Sequence, residues 1–160
     1  MRVILAAVGR LKDGAERELY ERYRERFDAL GRGVSLGPLK LAELAEARAQ
    51  TANLRKQDES QRLLKACAGA DVRLALHEGG KALSSDGFAK WLAQRRDGGA
   101  KVLGMMIGGP DGHDAAALKD ATLVLSLGPM TLPHGLARVV IVEQLYRAVT
   151  ILAGHPYHRA

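Results

Sequence analysis

The segment VLGMMI at residues 102–107 is an unbroken apolar run, and it stops at the glycine-rich segment GGPDG at residues 108–112. An apolar run of this length without alternation is typical of a strand buried on both faces, as in a parallel sheet. Three more short, mainly apolar runs occupy residues 3–8, 72–76 and 123–127, and a weaker one (VSLGPL) occupies residues 34–39. In the weaker run, Pro38 predicts a strand at the edge of the sheet.

Segments with helical character separate these predicted strands. The spacing of apolar residues, or a composition rich in Ala, Leu, Glu, Lys and Arg, predicts helices over residues 15–30, 41–68 and 115–121. A further helix is capped by Ser85 or Asp86 and stops before Asp97, and a long final helix begins near His134. Strands that alternate with helices predict an α/β fold, a mostly parallel sheet flanked by helices. Without a linker or repeat, residues 1–160 are expected to form a single domain.

Composition narrows the class of protein. The 24 Lys and Arg residues outnumber the 18 Asp and Glu residues, and this spread-out excess is compatible with nucleic-acid binding or simply with solubility. A single cysteine, Cys67, excludes a disulfide framework and a multi-cysteine metal site, and it is expected to be an inert core thiol. No apolar run is long enough to span a membrane. We therefore expect a cytoplasmic protein with no metal and no membrane partner.

Three loops rich in glycine or proline follow predicted strands: HEGGK at residues 77–81, IGGPDG at 107–112 and GPMTLPH at 128–134. Ligands of parallel α/β sheets bind beyond the carboxyl ends of the strands, where glycine allows a close approach of the backbone. Tight turns would explain one such loop, but three at one sheet edge favour a ligand site. The dinucleotide and phosphate-loop fingerprints are both missing. Loops with few charges suit a neutral purine and a thioether better than a pyrophosphate.

Several motifs resemble the ribosomal RNA large subunit methyltransferase H family, whose members are small SPOUT-class enzymes. They are VGRLK at residues 8–12, YERY at 20–23, LHEGGKALSSDGFA at 76–89, IGGPDG at 107–112 and LSLGPMTLPHGLARVVIVEQLYRAVTILAGHPYHR at 125–159. The combination of TLPHGLARV, EQLYRA and HPYHR is highly specific, and the resemblance covers almost the whole chain. Two positions depart from the family pattern. His77 stands where an acidic residue is usual, and Pro129 follows Gly128 where a residue other than proline is commoner.

The resemblance implies a SPOUT-type fold with a C-terminal trefoil knot, a homodimer, and methylation of N3 of a pseudouridine in 23S rRNA. The methyl donor would be S-adenosylmethionine, and the substrate would be 23S rRNA in the assembled ribosome. Carried over by position, the donor contacts fall on Leu76, Gly109, Gly128, Pro129, Met130, Thr131, Leu132 and Pro133. These are the loops already singled out, so Gly109→Val is expected to block the donor and to leave the fold intact.

The chemistry of the target suggests which residues act on it. N3 of a pseudouridine is an imide nitrogen, so its proton must leave and the developing oxyanion must be stabilised. The candidate catalytic residues are His134, Arg138, Tyr157, His158 and Arg159, with His155 as a further histidine near them. Histidine titrates near neutrality, arginine can hold an imidate oxygen or a phosphate, and tyrosine can stack on a base. His134 could instead have a packing role, and the tail could be a frayed end outside the core.

Three hypotheses about function remain open from the residues alone. The first is the methyltransferase. Its alternative is a non-catalytic rRNA-binding module of the same fold, which would bind rRNA but not the methyl donor. A small-molecule enzyme on a flavodoxin-like sheet is disfavoured by the missing phosphate loop, and a bound flavin would support it. Arg10, Lys12, Arg22 and Arg26 are expected to contact rRNA phosphates, or else to be solvated charges. Whether the tail serves its own site or that of a partner chain is also open.

Overall fold

Five parallel strands and five α-helices make up the computed structural model, which describes residues 1–159. The strands are β1 (Arg2–Val8), β2 (Leu39–Leu44), β3 (Val72–Ala82), β4 (Val102–Ile107) and β5 (Leu123–Ser126). The helices are α1 (Ala15–Gly31), α2 (Ala52–Ala66), α3 (Ser85–Asp97), α4 (Ala115–Asp120) and α5 (His134–Leu152), and a short 3-10 turn covers Arg32–Val34. The sheet order is β2-β1-β4-β3-β5, with every pairing parallel. The predicted fold class is confirmed.

The segment at residues 102–107 is the central strand β4, and all six of its residues are buried. Helices cover both faces of the sheet. One core contains Leu5, Leu74 and Met105 and packs against α1, α3 and α5, while a smaller core on the other face contains Ala6 and Met106. Successive strand residues point to opposite faces, which explains why β1 and β4 contribute to both cores.

The second predicted strand is wrong in its position. Residues 32–34 form a 3-10 turn, Ser35 and Gly37 have positive φ angles of 57° and 94°, and β2 starts only at Leu39. The expected helix at residues 41–68 is correspondingly shorter. It begins at Ala52, where the Thr51 side chain caps it by accepting a hydrogen bond from the Leu54 N–H. Pairing with β1 overrides the helix-favouring composition of LKLAEL, and β2 is the edge strand that Pro38 predicted.

The third strand is longer than predicted, because HEGGK belongs to it. β3 continues to Ala82, and its pairing with β5 shifts register between Leu76 and Lys81. Gly80 permits this continuation, since a Cβ there would lie 2.7–2.8 Å from backbone atoms of Val124 and Leu125. The glycine pair thus serves close strand packing as well as the sheet edge.

Cys67 is the buried thiol that the sequence predicts. It lies in the smaller core, and burial raises the pKa of its thiol to about 11. Within residues 1–159 no helix is both long and apolar enough to cross a membrane. Strand order and pairing do not decide whether a chain is threaded, so the trefoil knot stays a prediction.

Candidate functional site

A cavity of about 290 Å³ lies at the carboxyl ends of β4 and β5, beside residues 76–78 in the middle of β3. Its walls come from the three loops that the sequence singles out and from the start of α5. Six of the eight predicted donor contacts line it, namely Leu76, Gly109, Gly128, Met130, Thr131 and Leu132. Pro129 and Pro133 are not among the lining residues. His134, the first residue of α5, also lines the cavity, so the structure brings this predicted catalytic residue next to the predicted donor loops.

The loop after β4 is held in place by α2. Arg55 donates two hydrogen bonds to the Asp111 carboxylate, at 2.7 and 3.2 Å, and this bidentate geometry fixes the direction of the loop. One turn further along α2, the buried Glu59 carboxylate accepts a hydrogen bond from the Ala47 N–H and lies against Gly109. Gly112 closes the turn by donating to the Gly109 carbonyl at 2.9 Å.

The expectation that Gly109→Val leaves the fold intact stays a prediction, and the surroundings of Gly109 bear on it. A Cβ at Gly109 would collide with Oε2 of Glu59 and would lie 3.1 Å from Cγ1 of Val8. The glycine thus leaves room for the end of the Glu59 side chain beside this loop. A larger residue there would disturb Glu59 and its hydrogen bond to Ala47 before it reached a ligand.

The loop after β5 is largely exposed. Gly128 has a φ of +122°, and the Ser126 hydroxyl bonds to both its N–H and its carbonyl, at 3.1 and 3.2 Å. The side chain of Met130 is 82% exposed, which is unusual for a large apolar residue. Thr131 is also exposed, whereas Leu132 is half-buried. This loop therefore offers backbone groups and an uncovered apolar side chain at the cavity mouth.

Few charges face the cavity, and one buried histidine was not predicted. His113 lines it, is only 5% exposed, and neither of its ring nitrogens makes a hydrogen bond of normal geometry. Burial, and then the nearby His77, lower the pKa of His113, although the Met106 and Leu76 carbonyls partly oppose this. Glu78 and Asp111 are the lining carboxylates. At neutral pH the buried His113 is therefore uncharged.

Arg138 has a structural position, in contrast to the catalytic role expected from the sequence. It is 1% exposed, and its guanidinium donates to the carbonyls of Val8 and Gly9, at 2.6 and 2.8 Å, and to Glu43 at 2.9 Å. Burial lowers the pKa of this guanidinium, and Glu43 acts in the opposite direction. Arg138 thus ties α5 to the end of β1 and to β2, and it does not line the cavity.

We expect Arg138→Met to lower the free energy of unfolding by about 3 kcal/mol, because it removes the side-chain donor of the Val8 and Gly9 carbonyls and one of the donors to the Glu43 carboxylate. Chemical denaturation measures this. Arg62→Met is the matched control, since Arg62 makes its bonds to Ala45 and Asp58 at the surface. If Arg138→Met keeps the stability of the unsubstituted protein but loses activity, Arg138 has a catalytic role instead.

The C-terminal tail is folded against the second half of α5, so it is not a frayed end. The Tyr157 hydroxyl donates to Glu143 at 3.0 Å, and Arg147 donates to the same carboxylate at 2.6 and 3.0 Å. The Arg147 guanidinium lies 4.8 Å from the centre of the Tyr157 ring, which packs 4.7 Å from the ring of Tyr146. Burial is the main cause that raises the pKa of Tyr157. A tyrosine held in this way is a platform for stacking and not a proton acceptor.

His158 bridges two helices. Its Nδ1 lies 3.3 Å from Arg147, and its Nε2 lies 3.5 Å from the carboxylate of Asp86 at the start of α3. Arg159 is exposed, and the His155 ring accepts a hydrogen bond from the Tyr157 N–H. The tail therefore presents an arginine and a partly buried histidine beside an ordered aromatic ring.

One chain does not bring the tail and the cavity together. The cavity includes residues of the first turn of α5, whereas the tail packs on Glu143 and Arg147, which lie about 14 and 20 Å beyond His134 along the helix axis. None of the tail residues lines the cavity. The predicted catalytic set thus lies in three places in the described chain: His134 at the cavity, Arg138 beneath the end of β1, and the tail.

The four predicted RNA-contacting residues, Arg10, Lys12, Arg22 and Arg26, are all exposed. The Arg26 guanidinium lies 5.9 Å from the rings of both Tyr23 and Tyr146, so this part of α1 adjoins the tail. Their contact with rRNA stays a prediction. No group of three His, Cys, Asp or Glu side chains suited to a metal ion occurs within residues 1–159.

Comparisons with known proteins identify the family of this chain. Residues 1–158 match the family described as "Predicted SPOUT methyltransferase". The chain is 52% identical over 160 residues to "Ribosomal RNA large subunit methyltransferase H" of Brucella anthropi, and 52% identical over 160 residues to the protein of that name in Sinorhizobium fredii, covering 100% of each chain. Among solved structures, the SpoU methyltransferase AviRb from Streptomyces viridochromogenes in complex with AdoMet is 15% identical, with a TM-score of 0.43, over 96% of this chain and 61% of that one.

Proposed function

The chain belongs to the ribosomal RNA large subunit methyltransferase H family of SPOUT methyltransferases, and from this we propose that it transfers a methyl group from S-adenosylmethionine to large-subunit ribosomal RNA. The observation that carries the proposal is the cavity at the carboxyl ends of β4 and β5. It is lined by most of the donor contacts that the family resemblance implies. The 52% identity to the Brucella anthropi protein also extends over the whole length of both chains.

The residues of the cavity fit the methyl donor. Its volume of about 290 Å³ is near the lower end of the range for small-molecule sites, so part of the ligand would stay at the open mouth. Leu76, Leu125 and Leu132 supply apolar walls, and the glycines leave backbone groups accessible. The uncharged His113 suits the nucleoside, and the exposed Met130 would lie beside the part of the donor at the cavity mouth.

The bound donor would supply an electrophilic methyl group on a sulfonium sulfur. This chain's own task is to hold the target nitrogen in line with that methyl and to remove its proton. Three histidines line the cavity, and we propose the one that the sequence predicts, His134, for the second task. Following the family resemblance, we propose N3 of a pseudouridine in 23S rRNA of the assembled ribosome as the target.

We also propose that the working unit is a homodimer in which the tail of one chain completes the site of its partner. Within one chain, no tail residue lines the cavity. Beside the cavity, a second hollow of about 360 Å³ is lined by apolar residues such as Leu83 and Val140 together with polar ones such as Gln144. On α5 itself, Leu136 is 40% exposed. A partner chain would cover this apolar surface and bring its own tail across.

In such a dimer the tail residues have distinct tasks. The Tyr157 ring would support the flipped base by stacking, Arg159 would hold a phosphate or the imidate oxygen, and His158 would relay the proton. The exposed cations of α1 adjoin the tail, which places positive charge where RNA would approach.

Methyl transfer to ribosomes tests the proposal. Ribosomes from cells without the endogenous methylation are incubated with the protein and with S-adenosylmethionine labelled in its methyl group, and the labelled nucleoside is mapped after nuclease digestion. We expect label at one pseudouridine of 23S rRNA. Ribosome binding without donor binding would favour the non-catalytic RNA-binding module, and a flavin bound to the isolated protein would favour the small-molecule enzyme.

A further inference from the structure

We propose that the side of α1 next to the tail binds an unpaired nucleotide of the ribosomal RNA beside the methylated one, and that the base of this nucleotide stacks on the Arg26 guanidinium. The inference rests on the proposed function. It names a second RNA contact, separate from the cavity and from the tail residues assigned to the target nucleotide. The observation behind it is a concentration of tyrosine at this surface.

Tyrosine is unevenly distributed in the fold. Aromatic residues make up only 4% of the sequence, which contains four tyrosines. Three of them meet where α1, α5 and the tail come together: the ring centres of Tyr23 and Tyr146 lie 6.1 Å apart, and those of Tyr146 and Tyr157 lie 4.7 Å apart. Tyr23 and Tyr157 are only half-buried. An aromatic patch that reaches the surface of a chain with so few aromatic residues indicates an interaction surface.

Arg26 is held on this patch and keeps its charge unpaired. Its guanidinium lies 5.9 Å from the ring centres of both Tyr23 and Tyr146, which is within cation–π range, and the residue stays exposed. In the described part of the chain it pairs with no carboxylate, whereas Arg24 on the same helix is bonded to Glu21 at 2.6 Å. A guanidinium that is already held in place loses less conformational freedom when a ligand binds to it.

The chemistry of this surface fits an unpaired nucleotide. Unpaired bases of RNA stack on aromatic rings and on guanidinium planes, whereas the bases of a duplex are stacked on each other. N3 lies on the Watson–Crick edge of the proposed target base, so this base must be unpaired when it is methylated. Its neighbours in the strand are then within reach of a surface close to the target. Arg22, exposed one turn before Arg26, would hold a phosphate of the same nucleotide.

The location of the surface suits a neighbour of the target. Tyr157 packs against Tyr146, and Tyr146 also contacts Arg26, so the tail and Arg26 share one aromatic patch. His158 and Arg159, which we place at the target nucleotide, follow Tyr157 directly in the chain. A base on Arg26 would therefore belong to a nucleotide close to the target in the same strand.

Equilibrium binding of Arg26→Lys to ribosomes that lack the methylation tests the inference, because lysine keeps the charge and removes the guanidinium plane. We expect the affinity for ribosomes to fall about tenfold, with an unchanged dependence on salt concentration. The affinity for S-adenosylmethionine should not change, since Arg26 does not line the cavity. Arg32→Lys is the matched control, because Arg32 is exposed just after α1 and no tyrosine ring of the described chain lies against it.

Chemical probing of the 23S rRNA in the complex shows what the surface contacts. The unsubstituted protein should protect an unpaired nucleotide close to the methylated one, and Arg26→Lys should leave that nucleotide reactive. Unchanged affinity of Arg26→Lys, or no such protection by the unsubstituted protein, overturns the inference. Lower affinity with equal protection also overturns it, and would assign the surface to a ribosomal protein. If the unsubstituted protein transfers no methyl group to ribosomes, the proposed function fails and this inference fails with it.

Discussion

Ending the chain after Tyr157, so that residues 158–160 are removed, is expected to slow methyl transfer to ribosomes about 100-fold or more. The truncation removes His158 and the exposed Arg159, which we place at the target nucleotide. Affinity for S-adenosylmethionine should not change, because no tail residue lines the cavity. Single-turnover experiments with labelled donor measure the rate of methyl transfer, and a calorimetric titration measures the affinity for the donor.

The truncation point follows from how the tail packs. The sequence predicts that the whole tail lies outside the core, but Tyr157 packs against the core and bonds to Glu143. Removing Tyr157 as well would mix a loss of stability with a loss of function. A chain that ends at Arg159 is the matched control. Full activity in the chain that ends at Tyr157 would leave the tail a structural role and would assign the catalytic task to His134.

Ala137→Phe is expected to lower the affinity for S-adenosylmethionine by about 100-fold or more, because the phenylalanine ring would occupy the space that the ligand needs. Ala137 lies on the first turns of α5 and lines the cavity of about 290 Å³, so an aromatic ring there would occupy much of the space. The helix tolerates the change, and the Tm should stay close to that of the unsubstituted protein.

Calorimetric titration and thermal unfolding measure the two effects of Ala137→Phe. Ala116→Phe is the matched control, since Ala116 is exposed on α4 and does not line the cavity. Donor affinity that survives Ala137→Phe would mean that the donor binds elsewhere on the chain.

The sequence predicts a strand correctly where the burial of that strand requires an apolar composition. The all-apolar β4 and the loops after it could be placed because a doubly buried strand must be apolar. The edge strand β2 could not, because LKLAEL has a helix-favouring composition and becomes a strand only through pairing with β1. The extension of β3 through HEGGK depends on the close approach of β5 to Gly80, which local sequence does not encode.

The candidate site is predictable in its loops and not in its isolated side chains. Arg138 has the charge expected of a catalytic residue, but only the fold shows that the carbonyls of Val8 and Gly9 lie beneath it. His113 could not be predicted, because its burial at the cavity is a property of the packed structure. The division between the cavity and the tail follows from the length of α5, once the tail is known to fold back on it.

Mixing two inactive proteins tests the composite site most directly. The claim is that a donor in the cavity of one chain meets a nucleotide held by the tail of its partner. In a mixed dimer of Ala137→Phe with the chain that ends at Tyr157, the cavity of the truncated chain and the tail of the Ala137→Phe chain are both intact. Since these two parts would form one site, subunit exchange should restore about one quarter of the unsubstituted rate, given random pairing.

The rate of methyl transfer to ribosomes after subunit exchange gives the answer. Each protein alone should remain nearly inactive, and the mixture should reach about one quarter of the unsubstituted rate. A mixture of Ala137→Phe with a chain carrying both changes is the control, because no dimer in it contains a complete site. If the first mixture is no faster than the sum of its two components, the tail does not complete the partner's site and the composite site is contradicted.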